Sequence, residues 1–386
     1  MNQPALARMA LERVVGLNPR FAGAWLDLAL ATERAGDAAA AVEHLEYIRS
    51  QFTLSPALAA QVALWLDLWQ TSAQATQHTA AASHGWQGEI SFSLGRDSNA
   101  NAGPLRQQIP LSLSTGSTLF DVDKAFQPRA ASFNQLGISL NGPVQSWGEG
   151  KLSPLLLLRS KQLSSDGAFS PLDLQFGLLY QRPASTGTRD DTWQASLFAQ
   201  HFRLGGQALF NGLRVGLQRN TPWRNCLASA GSEIEARHQQ RLPILSGTLY
   251  SVSAGLTCPW PSGSNKAAIS GNVKAGFEQA SFDRPGGNTR STELNVRYDL
   301  PLSATQSLQA SWQIANTADQ TGYSPLLESD AARRIQRQTV SLGLRQSISR
   351  AWEARLNVEY FQQRSNLPLF EQRGTVLMLG AGWRFE

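Results

Sequence analysis

The chain has 386 residues, of which 42% are hydrophobic and only 16% charged, with a net charge of +5. No stretch approaches the roughly 20 apolar residues of a membrane-spanning helix. The basic residues form no block or basic helix, which excludes a nucleic-acid partner. Two cysteines among 386 residues say little by their count about the redox compartment.

Residues 3 to about 72 carry a helical period. Leu6, Leu11, Val14 and Val15, then Trp25, Leu28 and Leu30, then Ala41, Leu45 and Ile48 recur at three- and four-residue steps. "AWLDLALATERAGDAAAAVEHL" (24–45) resembles a tetratricopeptide repeat, with Trp25, Leu28, Ala29, Gly36, Ala41 and Leu45 at that repeat's spacing. Small Ala29 and Ala41 let two antiparallel helices approach, and Gly36 sits at the turn. Asn18-Pro19 marks the end of a preceding repeat, and a further helix is expected over 55–70. A generic helical hairpin is the plainer alternative. The opening "MNQPALARMALERVV" has no charged segment followed by an apolar run, so an export signal is expected to have preceded this sequence or been cut from it. Residues 73–85 are small and polar and read as a linker.

From Trp86 the period changes to two. In "ISFSLGRDSNANAGP" (90–104), Ile90, Phe92 and Leu94 alternate with Ser91, Ser93 and Gly95 until Asp97-Ser98-Asn99, where a long loop begins. Similar alternation follows at 172–180, 193–199, 209–217, 250–258, 269–277, 294–300, 308–314, 340–344, 352–360 and 377–385. Weaker versions lie at 129–141, 150–163 and 225–238, for about fourteen strands. The faces between the apolar positions are polar. A sandwich would cover the apolar face with a second sheet, whereas a membrane barrel turns it to lipid and the polar face to a wet lumen. Aromatic residues at strand ends (Trp86, Tyr180, Trp193, Tyr298, Trp352, Tyr360, Trp383) fit interfacial girdles. Connections alternate between short ("GPVQSWGEG", "RNTPWRN", "SISRAW") and long (97–128, 319–335). The expected fold is therefore an all-β transmembrane antiparallel barrel over 86–386 behind a short α-helical domain over 1–72. Strand one is expected to run outward from periplasmic helices, with the C-terminus returning to the periplasm.

Inside such a barrel, Arg214, Arg237, Arg297, Arg345 and Arg355 would face Glu233, Glu235, Glu293, Glu353 and Glu359 in a lumen of mixed charge. Those pairs either brace the wall or meet a substrate. Cys226 and Cys258 lie opposite each other if 226–258 is one hairpin centred near Leu242. They are then a candidate disulfide at the periplasmic rim. Closing the barrel places Asp97-Ser98-Asn99 near Arg364-Ser365-Asn366. These residues either cap strand ends or form a weak exposed latch, Asp97 pairing with Arg364 or Arg373. His44, His78, His84, His201 and His238 are scattered, with no metal-ligand spacing. The run 97–101 lacks the glycine and distal glutamate of a calcium loop. No catalytic site, metal or cofactor is expected.

The C-terminal strand, with Trp383 and Phe385, is similar to the signal by which the barrel-assembly machinery recognises outer-membrane barrels. Helices before a barrel, "GRDSNANAGP" after strand one and "RSNLPLFEQR" before the last strand resemble the surface lipoprotein assembly modifiers. That resemblance implies an outer-membrane conduit, a monomer in lipid, that carries a protein substrate of lipoprotein type to the cell surface. Porins that export exopolysaccharide share the plan and are the second reading; a passive porin or adhesion scaffold is the third.

Overall fold

The computed structural model describes residues 4–17, 22–34, 38–52, 61–62, 65–66, 69, 85–184, 191–262 and 265–385. The chain divides into two compact units, 1–84 and 85–386. Gly36, Asn18-Pro19, most of the expected helix over 55–70, and all of the 73–85 linker except Gly85 lie outside the described residues.

The first unit contains α1 (Pro4–Leu17), α2 (Ala22–Arg34) and α3 (Ala38–Gln51). Its core follows the helical period. Leu28, Ala29, Ala41, Leu45 and Ile48 are buried, joined by Val62, Leu66 and Trp69. Ala29 and Ala41, both fully covered, provide the close contact that small side chains permit between helices. Trp25 packs its ring on Tyr47 and His44, with centroids 4.5 and 5.8 Å away. No described helix is long and apolar enough to cross a membrane.

The second unit is a closed antiparallel barrel of fourteen strands. In chain order its wall is β1 (Gln87–Asp97), β4 (Ala131–Asn141), β6 (Gly150–Leu163), β7 (Pro171–Pro183), β8 (Thr192–Leu204), β9 (Gln207–Trp223), β10 (Cys226–Gln239), β11 (Gly247–Ser262), β12 (Asn265–Ala280), β13 (Thr289–Pro301), β14 (Gln306–Asp319), β15 (Arg334–Ser347), β16 (Trp352–Ser365) and β17 (Gln372–Phe385). Each strand pairs with its neighbour in sequence, and β1 pairs with β17 to complete the ring. The short β5 (Gln145–Trp147) folds back on β6 in the turn after β4. The segment 97–128, expected as a loop, contains a hairpin, β2 (Gln108–Leu113) and β3 (Gly116–Asp121), that pairs only with itself.

Register and the two-residue period sort the side chains. On β1, Phe92 and Leu94 are half exposed on the outer wall, and the neighbouring outward positions Leu136, Leu377 and Leu379 extend the same surface. Val215, Val252, Val273, Val340 and Leu342 do so further round the wall, each at least half exposed. A soluble monomer does not carry so large a continuous apolar surface; hydrocarbon covers it without loss. The wall is uneven. β1 and β4 have 11 residues each, whereas β9 has 17 and β11 and β12 have 16 each.

Cys226 and Cys258 are joined by a disulfide with Cα atoms 4.3 Å apart. They stand directly opposite in the β10–β11 hairpin, one step beyond the Leu227–Thr257 pair, at the close spacing of a non-hydrogen-bonded antiparallel pair. The link closes the hairpin on the outer wall in the row from Trp223 to Ile269, at the end of the barrel that carries the short turns.

Candidate functional site: the seam, the lumen and the loop cap

The place where β1 meets β17 is chemically distinct at both ends. Its backbone ladder is complete from Gly88–Phe385 to Asp97–Val376. One further step follows: Ser98 N–H donates to the Thr375 carbonyl (3.0 Å), and Thr375 N–H donates to Ser98 Oγ (2.8 Å). At the turn end, inward residues from four strands converge. The carboxylate of Glu353, side chain 3% exposed, takes Arg345 at 3.4 Å and also pairs with Arg355 and Arg384. Glu89, on β1, takes Arg355 at 2.5 Å and Arg384 at 3.4 Å. Two carboxylates and three guanidiniums thus tie β1 to β15, β16 and β17. Glu353 tolerates burial because three guanidiniums meet its two oxygens. Arg345, Glu353 and Arg355 were expected in the lumen; Glu89 and Arg384 were not, although both stand at inward positions of readable strands.

At the loop end the expected latch is replaced by a different arrangement. Asp97 is buried, and its partner is Lys161 of β6, at 2.7 Å. Lys161 also lies over the Phe133 ring, 4.3 Å from its centroid. Arg364 and Arg373 cannot reach Asp97. They occupy outward positions of β16 and β17, in line with Gln336 and Gln362, whereas Asp97 faces inward. An exposed Asp97–Arg latch is therefore corrected to a buried Asp97–Lys161 brace. Ser365 and Asn366 serve their own surroundings. Ser365 Oγ accepts from Leu367 N–H at 3.1 Å, while Asn366 bridges Arg334 N–H and the Ala332 carbonyl.

The motif "GRDSNANAGP" builds a loop. Asp97, Asn99 and Asn101 are all buried. Asn99 N–H donates to Asp97 Oδ1 (3.0 Å); the Asn99 amide donates to Gly103 and Arg373 carbonyls and accepts from Gly103 N–H. Asn101 holds the returning chain, donating to the Gln127 carbonyl (2.8 Å) and accepting from Arg129 N–H (2.8 Å). Gly103 is required: a Cβ there would lie 2.6 Å from backbone atoms of 126 and 128. Beyond this anchor the β2–β3 hairpin joins two other loops. Ile109, Leu327 and Leu367 form a small core with Tyr323 and Phe370 packed on it. Ser112 N–H donates to the Leu326 carbonyl (2.9 Å), and Arg106 pairs with Glu371 at 2.7 Å. That hydrogen bond, and then the charge of Glu371, hold the exposed Arg106 guanidinium above its usual range. Three connections thus make one folded cap.

Between the ends the lumen is polar and balanced. Glu233 takes Lys274 at 2.9 Å and Arg214 at 3.7 Å. Glu235 pairs with Arg237 (2.6 Å), Arg297 with Asp299 (2.7 Å), and Glu293 accepts from the Gln313 amide. Glu359 faces inward opposite Ser341. A cavity of about 390 Å³ beside the seam is lined by Ser91, Ser93, Gln135, Ser139, Arg159 and Asn357 among others. The Trp and Tyr residues of the wall strands stand at outward register positions. The inward Phe rings are covered. Lys161 lies on Phe133, Arg214 on Phe198, Arg237 on Phe210 and Arg337 on Phe361, and Phe202 stacks on Phe210. Among the described residues no group of three or more acidic, His or Cys side chains is placed to hold a metal.

No family model matches the sequence, and no curated protein does. Several solved barrels are similar over most of the chain. A TodX monoaromatic hydrocarbon channel deltaS2 mutant is 12% identical, with a TM-score of 0.39, covering 79% of this chain and 91% of that one. An anion-selective porin from Comamonas acidovorans is 11% identical, with a TM-score of 0.39, covering 78% and 98%. Pseudomonas putida OprB is 10% identical, with a TM-score of 0.41, covering 80% and 96%.

Proposed function

We propose that this chain is an outer-membrane conduit that passes a protein, of lipoprotein type, to the cell surface. On this reading its N-terminal helices are tetratricopeptide units that meet the substrate in the periplasm. The observation that carries the proposal is the sorting of side chains across the wall. Apolar groups and the wall's Trp and Tyr face out; hydroxyls, amides and paired charges face in. A polypeptide carries charges of both signs, so a lumen that itself carries both signs, most of them paired, neither traps nor repels it. Sugar rings, by contrast, bind by stacking on flat aromatic faces, and the inward rings here are occupied by cations or by each other. That favours a protein cargo over a polysaccharide.

The test compares a deletion strain of the source bacterium with the same strain carrying the gene. Surface proteins are shaved with protease and identified, and surface polysaccharide is measured in parallel. One or a few proteins should vanish from the surface and accumulate in the periplasm, with polysaccharide unchanged. Loss of polysaccharide with an unaltered set of surface proteins would favour the second reading.

A further inference from the structure

Charge of one sign gathers at one place on the outer wall. Acidic residues of the wall strands all stand at inward register positions. On the outer face at the loop end, arginines cluster across four strands. Arg290, Ala318 and Arg334 form one cross-strand row; Thr292, Asn316, Gln336 and Arg364 form the next, with Arg373 beside Gln362 one row further on. All four arginines are exposed. None has an ion pair or a side-chain hydrogen bond among the described residues, unlike Arg345, Arg355 and Arg384 in the lumen. Small Ala318 between two arginines leaves a notch, and a cavity of about 500 Å³ opens there, lined by Arg290, Asn316, Arg334, Gln336 and Arg364. Arg290 and Arg334 are two strand spacings apart, about 10 Å. Long flexible guanidiniums converge on one anion across that distance.

The row that carries Arg373 begins the change, with Leu294 and Ile314 beside Gln338 and Gln362, and the next is apolar from β13 to β16: Val296, Trp312, Val340 and Tyr360. A charged notch above a hydrocarbon-facing strip has the chemistry of one ligand, an anionic head on acyl chains. We propose that this patch binds the phosphorylated headgroup of a lipid in the leaflet at the loop end, its chains lying over Trp312, Val340 and Tyr360. Arginine suits the role because its planar fork meets phosphate oxygens two at a time. The inference rests on the membrane-spanning reading of the barrel.

The test uses the full chain in detergent, with doubly phosphorylated lipid A as probe and native mass spectrometry as readout. The variants are Arg290→Gln/Arg334→Gln/Arg364→Gln and, as control, Arg182→Gln, which changes an outward arginine at the turn end. Insertion into liposomes is followed by flotation, and folding by heat-modifiable migration. The unmodified chain and Arg182→Gln should bind lipid A, and the triple variant should bind about tenfold more weakly or worse while floating and migrating normally. Dephosphorylated lipid A should bind none of them well, and inorganic phosphate should not compete. Equal binding by the triple variant, or full competition by inorganic phosphate, would overturn the lipid site alone. Failure of the unmodified chain to float would overturn the membrane reading and this inference with it.

Discussion

Glu353→Gln will lower the temperature at which the barrel loses its compact, heat-modifiable migration by more than any other single exchange of a lumen residue. The carboxylate is almost fully covered and faces Arg345, Arg355 and Arg384. Its removal leaves three guanidiniums with only Glu89 nearby. Stripping one partner from a buried charge cluster costs about 3–5 kcal/mol. Glutamine keeps the shape, so the loss reports charge rather than a cavity. Adding Arg345→Gln to Glu353→Gln should recover part of the stability, because one uncompensated cation goes with the anion. A double variant as unstable as the sum of the two singles would show that these residues do not act as a cluster.

A covalent lock on the seam separates sideways exit from passage through the lumen. Phe92 and Ala381 are register partners across β1 and β17. The pair Phe92→Cys/Ala381→Cys should cross-link under oxidant without disturbing assembly, and the native cysteines are already bonded to each other. If the substrate leaves sideways through the seam, oxidation abolishes surface display and reductant restores it. The wall here is short, and small Ser91, Ser93, Gly380 and Gly382 line its inner side, which lowers the packing lost on opening. Against this stand the complete ladder, the Glu89 cluster at the turn end and, at the loop end, the Ser98–Thr375 hydrogen bonds and the Asn99 amide on the Arg373 carbonyl. Unchanged display through a fully cross-linked barrel would reject lateral opening and leave the lumen as the route.

The wall was legible because a two-residue period names both faces of a strand at once. All fourteen strands, including the weak 129–141, 150–163 and 225–238, lie where alternation put them. The Cys226–Cys258 pairing was readable for a related reason: a hairpin fixes its own register. What alternation cannot say is which inward residues meet across the barrel. Glu89 and Arg384 are 295 residues apart in sequence and become neighbours only when β1 closes on β17. The partner of Asp97 was misread because nearness along the seam was weighed without the face; Arg364 and Arg373 are near but point out. The loop cap was invisible because Ile109, Leu327 and Leu367 sit in three separate connections with no shared period. The arginine patch was missed because Arg290, Arg334 and Arg364 line up only once neighbouring registers are known.

Whether the wall separates lipid from a wet lumen is decided on β1, where the two faces alternate residue by residue. Single cysteines are placed at Ile90, Ser91 and Phe92 in the otherwise native chain, whose own cysteines are bonded to each other. Each is exposed in liposomes to a lipid-restricted reagent and, separately, to a small water-soluble one. Ile90→Cys and Phe92→Cys should react with the first and Ser91→Cys only with the second. The reverse pattern, or equal labelling at all three, would contradict that separation.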